Sequence, residues 1–215
     1  MDKHLYIYVV VRDCGFAPNP FHGYCTLATC KPRIRNVAQI GDWILGVGGG
    51  RLKATGKCVF LMKVTEILKF NEYWSDARFK VKKSIRNGSL VMMAGDNIYH
   101  QENGNASWTQ EDSHHSMTDG TQNIVNLKRD TSSDKVLISE HFYYFGKNAP
   151  LVDLDLVAYK NRIDHDKRQL DGTNIAAFID GIELRYSKDR NRVLANPFDF
   201  SSASKRVDQA TGKIT

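Results

Sequence analysis

The amino-acid sequence predicts an α+β fold: a small curved sheet or open β-barrel with flanking helices and a helical C-terminal extension. Two observations carry this. Short β-branched and aromatic runs recur at residues 4–11, 43–47 and 57–67 with turn residues between them, whereas amphipathic stretches of helical length appear only after Pro150. A chain of 215 residues with 41% hydrophobic and 25% charged residues has ordinary globular composition, enough to bury a core.

Residues 4–11 read HLYIYVVV, too short for a helix and apolar on both alternating faces, so they form a buried strand. A second strand over 43–47 follows Gly41-Asp42, and Gly48-Gly49-Gly50 turns the chain toward a third strand over 57–67. Phe70, Tyr73, Trp74 and Phe79 fit a short helix over 70–79 with Asn71 as its N-cap. Residues 80–131 are polar and contain Gly, Asn and His throughout, the composition of a long functional loop. Residues 136–146 carry a strand pair or one bent strand. Beyond Pro150, residues 151–163 and 174–187 are amphipathic helices joined by the charged stretch 164–168. The organisation expected is a main domain over 1–150, a helical extension over 151–200 packed on it, and a flexible tail over 201–215.

No apolar run approaches the roughly 18 residues of a membrane span, and no basic-then-apolar leader opens the chain. The expectation is a cytoplasmic protein whose four cysteines are free thiols, with no membrane partner. Thirty Lys and Arg against 24 Asp and Glu leave a net charge of +6, which suits a polyanionic partner.

Chemistry concentrates in residues 14–50. Cys14, His22, Cys25 and Cys30 are residue types of a tetrahedral metal site, but Cys25 and Cys30 are separated by the strand-compatible Thr26-Leu27-Ala28-Thr29, not held in a tight hook. Neither a metal nor a cofactor is expected. Cys25 or Cys30 is instead a candidate nucleophile, with His22 or a histidine from a distant segment as base. The run Lys31-Pro32-Arg33-Ile34-Arg35 offers Lys31, Arg33 and Arg35 to phosphates or forms a solvated basic loop.

A second dense region spans 95–100, GDNIYH, and 108–116, WTQEDSHHS. His100, His114 and His115 are candidate acid–base groups. On an extended segment the adjacent His114 and His115 point to opposite sides, so at most one would face a given pocket. Trp43 and Trp108 are the aromatics best placed to stack a base, with Asp42, Asn97 and Asp112 available to its edges.

The words FAPNPFHGYCTLATCKPRIR, GDWILGVG, TEILKFNEYWSDARF, GDNIYH, DSHHS and RDTSSDKVLIS, in this order, resemble a bacterial and phage family called nucleotide modification associated domain, type two. The resemblance covers about residues 6–146 and implies a place in systems that make or handle modified nucleobases, without supplying an activity. The order of Gly41-Asp42 and its strand, glycine turn, strand ending in Val64-Thr65-Glu66, and Tyr73-Trp74-Ser75-Asp76 is similar to PUA-like domains of the EVE, ASCH and YTH groups. Those are small barrels that hold a base in a pocket. Taken together, the expected function is recognition of a modified or flipped nucleobase, with a nucleic acid or nucleotide as partner and DNA favoured. The alternatives are an enzyme acting on a nucleobase or nucleotide, and a protein-interaction module of a modification or defence system.

Overall fold

The computed structural model describes residues 2–102, 107–160, 164–170 and 172–215. Its centre is a mixed six-stranded sheet in the order β10, β1, β3, β4, β9, β11. These strands are β1 (His4–Val10), β3 (Trp43–Gly48), β4 (Cys58–Lys63), β9 (Phe142–Tyr144), β10 (Asp166–Gln169) and β11 (Arg192–Val193). The apolar run of β1 takes an interior position, where it pairs in parallel with β3 (Leu5 opposite Trp43, Val10 opposite Gly48) and antiparallel with β10. Strand β3 continues antiparallel to β4 through a register shift at Gly46/Val47. A Cβ at Gly46 would lie 2.1 Å from the Phe60 ring, so only glycine lets these strands approach.

A second sheet orders β2 (Cys25–Leu27), β8 (Lys135–Ser139) and β5 (Glu66–Lys69) antiparallel, and β6 (Tyr99–Gln101) pairs with β7 (Trp108–Gln110). The expected sheet is therefore present, but it is open and mixed, not closed into a barrel. The third expected strand breaks after Lys63 into β4 and β5, and the two pieces serve different sheets.

Among the described residues, five α-helices pack around the sheets: α1 (Pro32–Val37), α2 (Phe70–Ser75), α3 (Leu90–Met93), α4 (Ile124–Asp130) and α5 (Thr173–Arg185). Ile175, Phe178, Ile179 and Ile182 repeat at helical spacing and bury one face of α5 in the core of the main sheet. The N-cap of helix α2 is Lys69, two residues before the expected Asn71: the Glu72 carboxylate accepts the Lys69 amide at 2.7 Å, and Asn71 instead accepts the Gln101 amide. The basic run from Lys31 is not a loop, because Pro32 opens α1.

The stretch 80–131 contains α3, β6, β7 and α4, although residues 103–106 lie outside the described residues. Its strands are three residues long and its order comes from buried amides such as Asn97, Gln110 and Asn126, so no hydrophobic period announces it. Residues 151–160 form a bridge from Leu151 to Lys57 and a set of turns rather than the expected helix; the last three residues of that expectation, 161–163, are outside the described set. A bridge from Val207 to Ile214 closes residues 201–215 into a strap, whose Val207 amide donates to the His114 carbonyl and whose Val207 carbonyl accepts from Asn126.

Candidate functional site

Cys30 sits between β2 and α1 in the left-handed region, with φ of 58°, followed by Lys31 at 40°. A non-glycine residue costs about 1–2 kcal/mol in that conformation. Hydrogen bonds on both sides hold it: the Cys30 amide donates to Asp130 Oδ1 at 2.8 Å, and Arg35 Nε donates to the Cys30 carbonyl at 2.9 Å. The sulfur thereby lines a cavity of about 240 Å³ that opens past the C-terminal end of β1.

His115 lies across that cavity with Nε2 at 3.8 Å from Cys30 Sγ, while its Nδ1 is 2.7 Å from Asp130 Oδ2. Asp130 is the last residue of α4 and fully buried. Its carboxylate also accepts from the Tyr99 hydroxyl at 2.8 Å and from Gln209 of the strap at 3.2 Å. Burial raises its pKa, but the charges of His115 and Arg35 and the hydrogen bonds to it prevail and hold it below its ordinary value. Burial likewise disfavours a charged His115, yet Asp130 and the adjacent Cys30 outweigh this and push the imidazole up to about 10. The result is a thiol, an imidazole and an orienting carboxylate in series, the arrangement that activates a cysteine nucleophile.

A second thiol and imidazole face the same cavity in the opposite electrostatic condition. His114 Nδ1 donates to the Lys205 carbonyl at 2.7 Å, and its Nε2 is 3.7 Å from Cys14 Sγ. Burial, reinforced by the neighbouring His115 charge, pushes His114 down to about 3. Burial and then Asp13 push the Cys14 thiol up to about 12. This pair is therefore neutral, with Cys14 as thiol. Two histidines adjacent in sequence are driven apart by Asp130, which raises His115, and by burial and the His115 charge, which lower His114 against the opposing pull of the Lys205 carbonyl, the pattern that separates acid–base roles.

Phe16 packs on both imidazoles, with ring centroids 5.3 Å from His114 and 4.6 Å from His115. Tyr8 forms another part of the wall, and its buried hydroxyl has no hydrogen-bond partner. Ligand atoms of Cys30, His115 and Asp130 come within 4.8 Å of one another, and among the described residues they form the one such group that could hold a metal ion. Asp130 occupies Nδ1, however, whereas the sulfur faces Nε2. A cation bridging Sγ and Nε2 would have the carboxylate behind the ring, so the set fits a catalytic relay better than a tetrahedral cage.

The family model described as nucleotide modification associated domain 2 matches residues 2–204. The chain belongs to this family. The match extends well past the words that resemble it in sequence and takes in β10, α5 and β11, while Lys205, Val207 and Gln209 of the strap lie beyond it. No curated protein and no solved structure matches the chain.

In this nucleotide modification associated domain, the structure brings together Cys30, Lys31, His114 and His115 of the residues singled out from sequence. Both histidines line the cavity because residues 114–115 form a turn, not the extended segment on which they would diverge. The other nominated groups lie elsewhere. His22 is exposed in a left-handed turn, and Cys25 is fully buried with Sγ 3.7 Å from Met62 Sδ, its pKa pushed up by burial. His100 stacks on Trp74 at 4.1 Å and bonds Glu111 at 2.8 Å.

None of the five residues nominated to hold a base lines the cavity. Asp42 accepts the His4 and Gln39 amides, and Trp43 meets His141 edge-on. Because β1 and β3 run parallel, Trp43 lies beside Leu5 at the start of both strands, whereas the cavity is at the far end. Asn97 bridges the Tyr73 and Phe79 carbonyls, Trp108 packs on Phe70, and Asp112 pairs with Ser116 and Arg206. Of the three nominated cations, Arg33 points to solvent near Asp164, while Arg35 is buried and donates to the carbonyls of Cys30, Asp130, Ser133 and Lys135. That guanidinium holds the Cys30 turn and is not available to a phosphate.

Asp130, Tyr8 and Gln209 were not identified from sequence. Asp130 alone carried a signal: a carboxylate at the end of a helix opposes the macrodipole, so it needs a buried cation or donors to compensate.

Proposed function

We propose that this domain is a cysteine-dependent enzyme of a nucleotide-modification system, acting on the base moiety of a nucleotide. The observation that carries the reading is the Cys30, His115 and Asp130 series in the wall of a cavity, within a family named for association with nucleotide modification. Asp130 fixes the orientation of the His115 ring so that Nε2 faces the Cys30 sulfur. With the Cys30 thiol proton held on His115 Nε2, the sulfur attacks an electrophilic trigonal carbon, forming a C–S bond as the carbon's π pair moves to its heteroatom. That pair then re-forms the double bond and expels the leaving nitrogen or oxygen, which takes the His115 Nε2 proton. Water then adds to the thioester or thioimidate, giving its proton to the now neutral His115, and the sulfur leaves.

The test is intact-mass detection of a Cys30 adduct, together with chromatographic analysis of nucleosides, nucleotides and oligonucleotides incubated with wild type, Cys30→Ala and His115→Ala. Turnover should be lost in Cys30→Ala and fall by roughly 10²–10⁴ in His115→Ala. Turnover that survives in Cys30→Ala would sink the mechanism. Binding that survives in both variants, with no product from wild type, would favour recognition of the base without chemistry.

A further inference from the structure

The cavity wall carries a charge pattern that the cysteine chemistry does not explain. Arg12, Lys31 and Arg129 line it, and among the described residues none of the three has a carboxylate at ion-pair distance. Asp164 is the single acid among the described lining residues, and its carboxylate faces His165 Nδ1 at 2.8 Å and Arg33 at 4.0 Å. Lys31 reaches the Asp164 carbonyl at 3.1 Å, not its carboxylate, and lies 4.6 Å from the centre of the Tyr8 ring. Arg129 is exposed, its guanidinium bound to the Gln209 carbonyl at 3.3 Å. Burial lowers the pKa of Lys31, and the Arg129 charge lowers it further against the pull of Asp164. Like charges held together in this way favour an anion between them.

Deeper in, the surface changes character. Tyr8 is 3% exposed, and its hydroxyl has lost water without gaining a partner, which costs about 1–3 kcal/mol unless a ligand completes it. Phe16 and Val10 give flat apolar wall beside it, and the Cys30 and His115 pair lies in the same lining. The chamber thus joins a cationic part, in which Arg12 Nε also has no hydrogen-bond partner among the described residues, to an aromatic one carrying the unsatisfied Tyr8 hydroxyl. At about 240 Å³ it is smaller than the roughly 300–1,000 Å³ of drug-sized pockets. Val207, Gln209 and Gly212 of the strap form one side.

We propose that the cavity takes a free mononucleotide, its phosphate held by Lys31 and Arg129 and its base against Tyr8 and Phe16 with a polar edge on the Tyr8 hydroxyl. This rests on the reading of the same cavity as the reaction site and names the substrate class that would reach Cys30.

The test uses the full chain carrying Cys30→Ala, so that binding is read apart from turnover, with calorimetric titration of AMP, GMP, CMP, UMP and dTMP. The matching nucleosides and a short single-stranded oligonucleotide are titrated alongside. At least one monophosphate should bind more tightly than its nucleoside. Lys31→Gln and Arg129→Gln should each weaken the monophosphate by roughly tenfold while leaving the nucleoside unchanged. Tyr8→Phe should weaken both by a similar factor. The assignment is overturned if no monophosphate binds, if nucleoside and monophosphate bind equally, or if only the oligonucleotide binds. Monophosphate binding with a wild-type Cys30 that neither reacts nor turns over would overturn the enzymatic reading and leave the mononucleotide assignment standing. Turnover of a base in the oligonucleotide alone would do the reverse.

Discussion

The Asp130 carboxylate lies 2.7 Å from His115 Nδ1, and its other oxygen accepts the Cys30 amide at 2.8 Å. One buried side chain therefore sets both the orientation of the His115 ring and the left-handed turn that carries Cys30. Replacing it with Asn should lower the rate of Cys30 alkylation by iodoacetamide by roughly tenfold or more, because an amide can present either face to the imidazole. Asp130→Ala should in addition destabilise the fold by about 3–5 kcal/mol, read by urea denaturation, since it leaves His115 and Arg35 buried without their counter-charge. Wild-type alkylation kinetics in Asp130→Asn would remove Asp130 from the relay.

His114 and His115 should leave opposite marks on stability against pH. The folded His115 value of about 10 is above its ordinary 6.5. Its contribution is therefore fully present below 6.5 and is lost as pH rises through 10. The folded His114 value of about 3 is below 6.5, so its contribution is present above 6.5 and is lost as pH falls toward 3. Urea midpoints measured between about pH 4 and 10 should show a shallower alkaline decline in His115→Gln and a shallower acid decline in His114→Gln. Identical profiles in both variants would contradict the charge assignment of the pair.

Only one of the four thiols should react in the native protein. Cys25 and Cys58 are fully buried and Cys14 is held as a thiol by burial and Asp13, whereas Cys30 is partly exposed beside a charged imidazole. Peptide mapping after brief treatment with iodoacetamide should find label on Cys30 alone, and His115→Ala should slow that labelling by roughly tenfold or more. Preferential labelling of Cys14 would reverse the roles assigned to the two pairs.

The local character of several elements could be read directly from the chain. HLYIYVVV had to be a buried strand because no alternating face is polar, and Ile175, Phe178, Ile179 and Ile182 had to bury one side of a helix. The sulfur, imidazole and basic groups of the site were also visible as types: Cys30, Lys31, His114 and His115 stand out in segments rich in polar and turn-forming residues. Their partners were not visible. Asp130 is 100 residues from the Cys30 amide it accepts, and Gln209 is 79 from Asp130, separations at which sequence spacing carries no geometry.

What the sequence by itself determined is therefore the inventory: a buried strand at the N-terminus, an apolar-faced helix near the C-terminus, and a crowd of nucleophilic and titratable side chains between them. Tertiary structure alone decided which members of that crowd meet. The parallel pairing of β1 with β3 carried Trp43 to the end remote from the cavity, and the turn at residues 114–115 brought two histidines to one chamber that an extended chain would have divided. The physical reason is that hydrophobic periodicity is local, whereas pKa, tautomer and reach are set by whatever lies within a few ångströms in space.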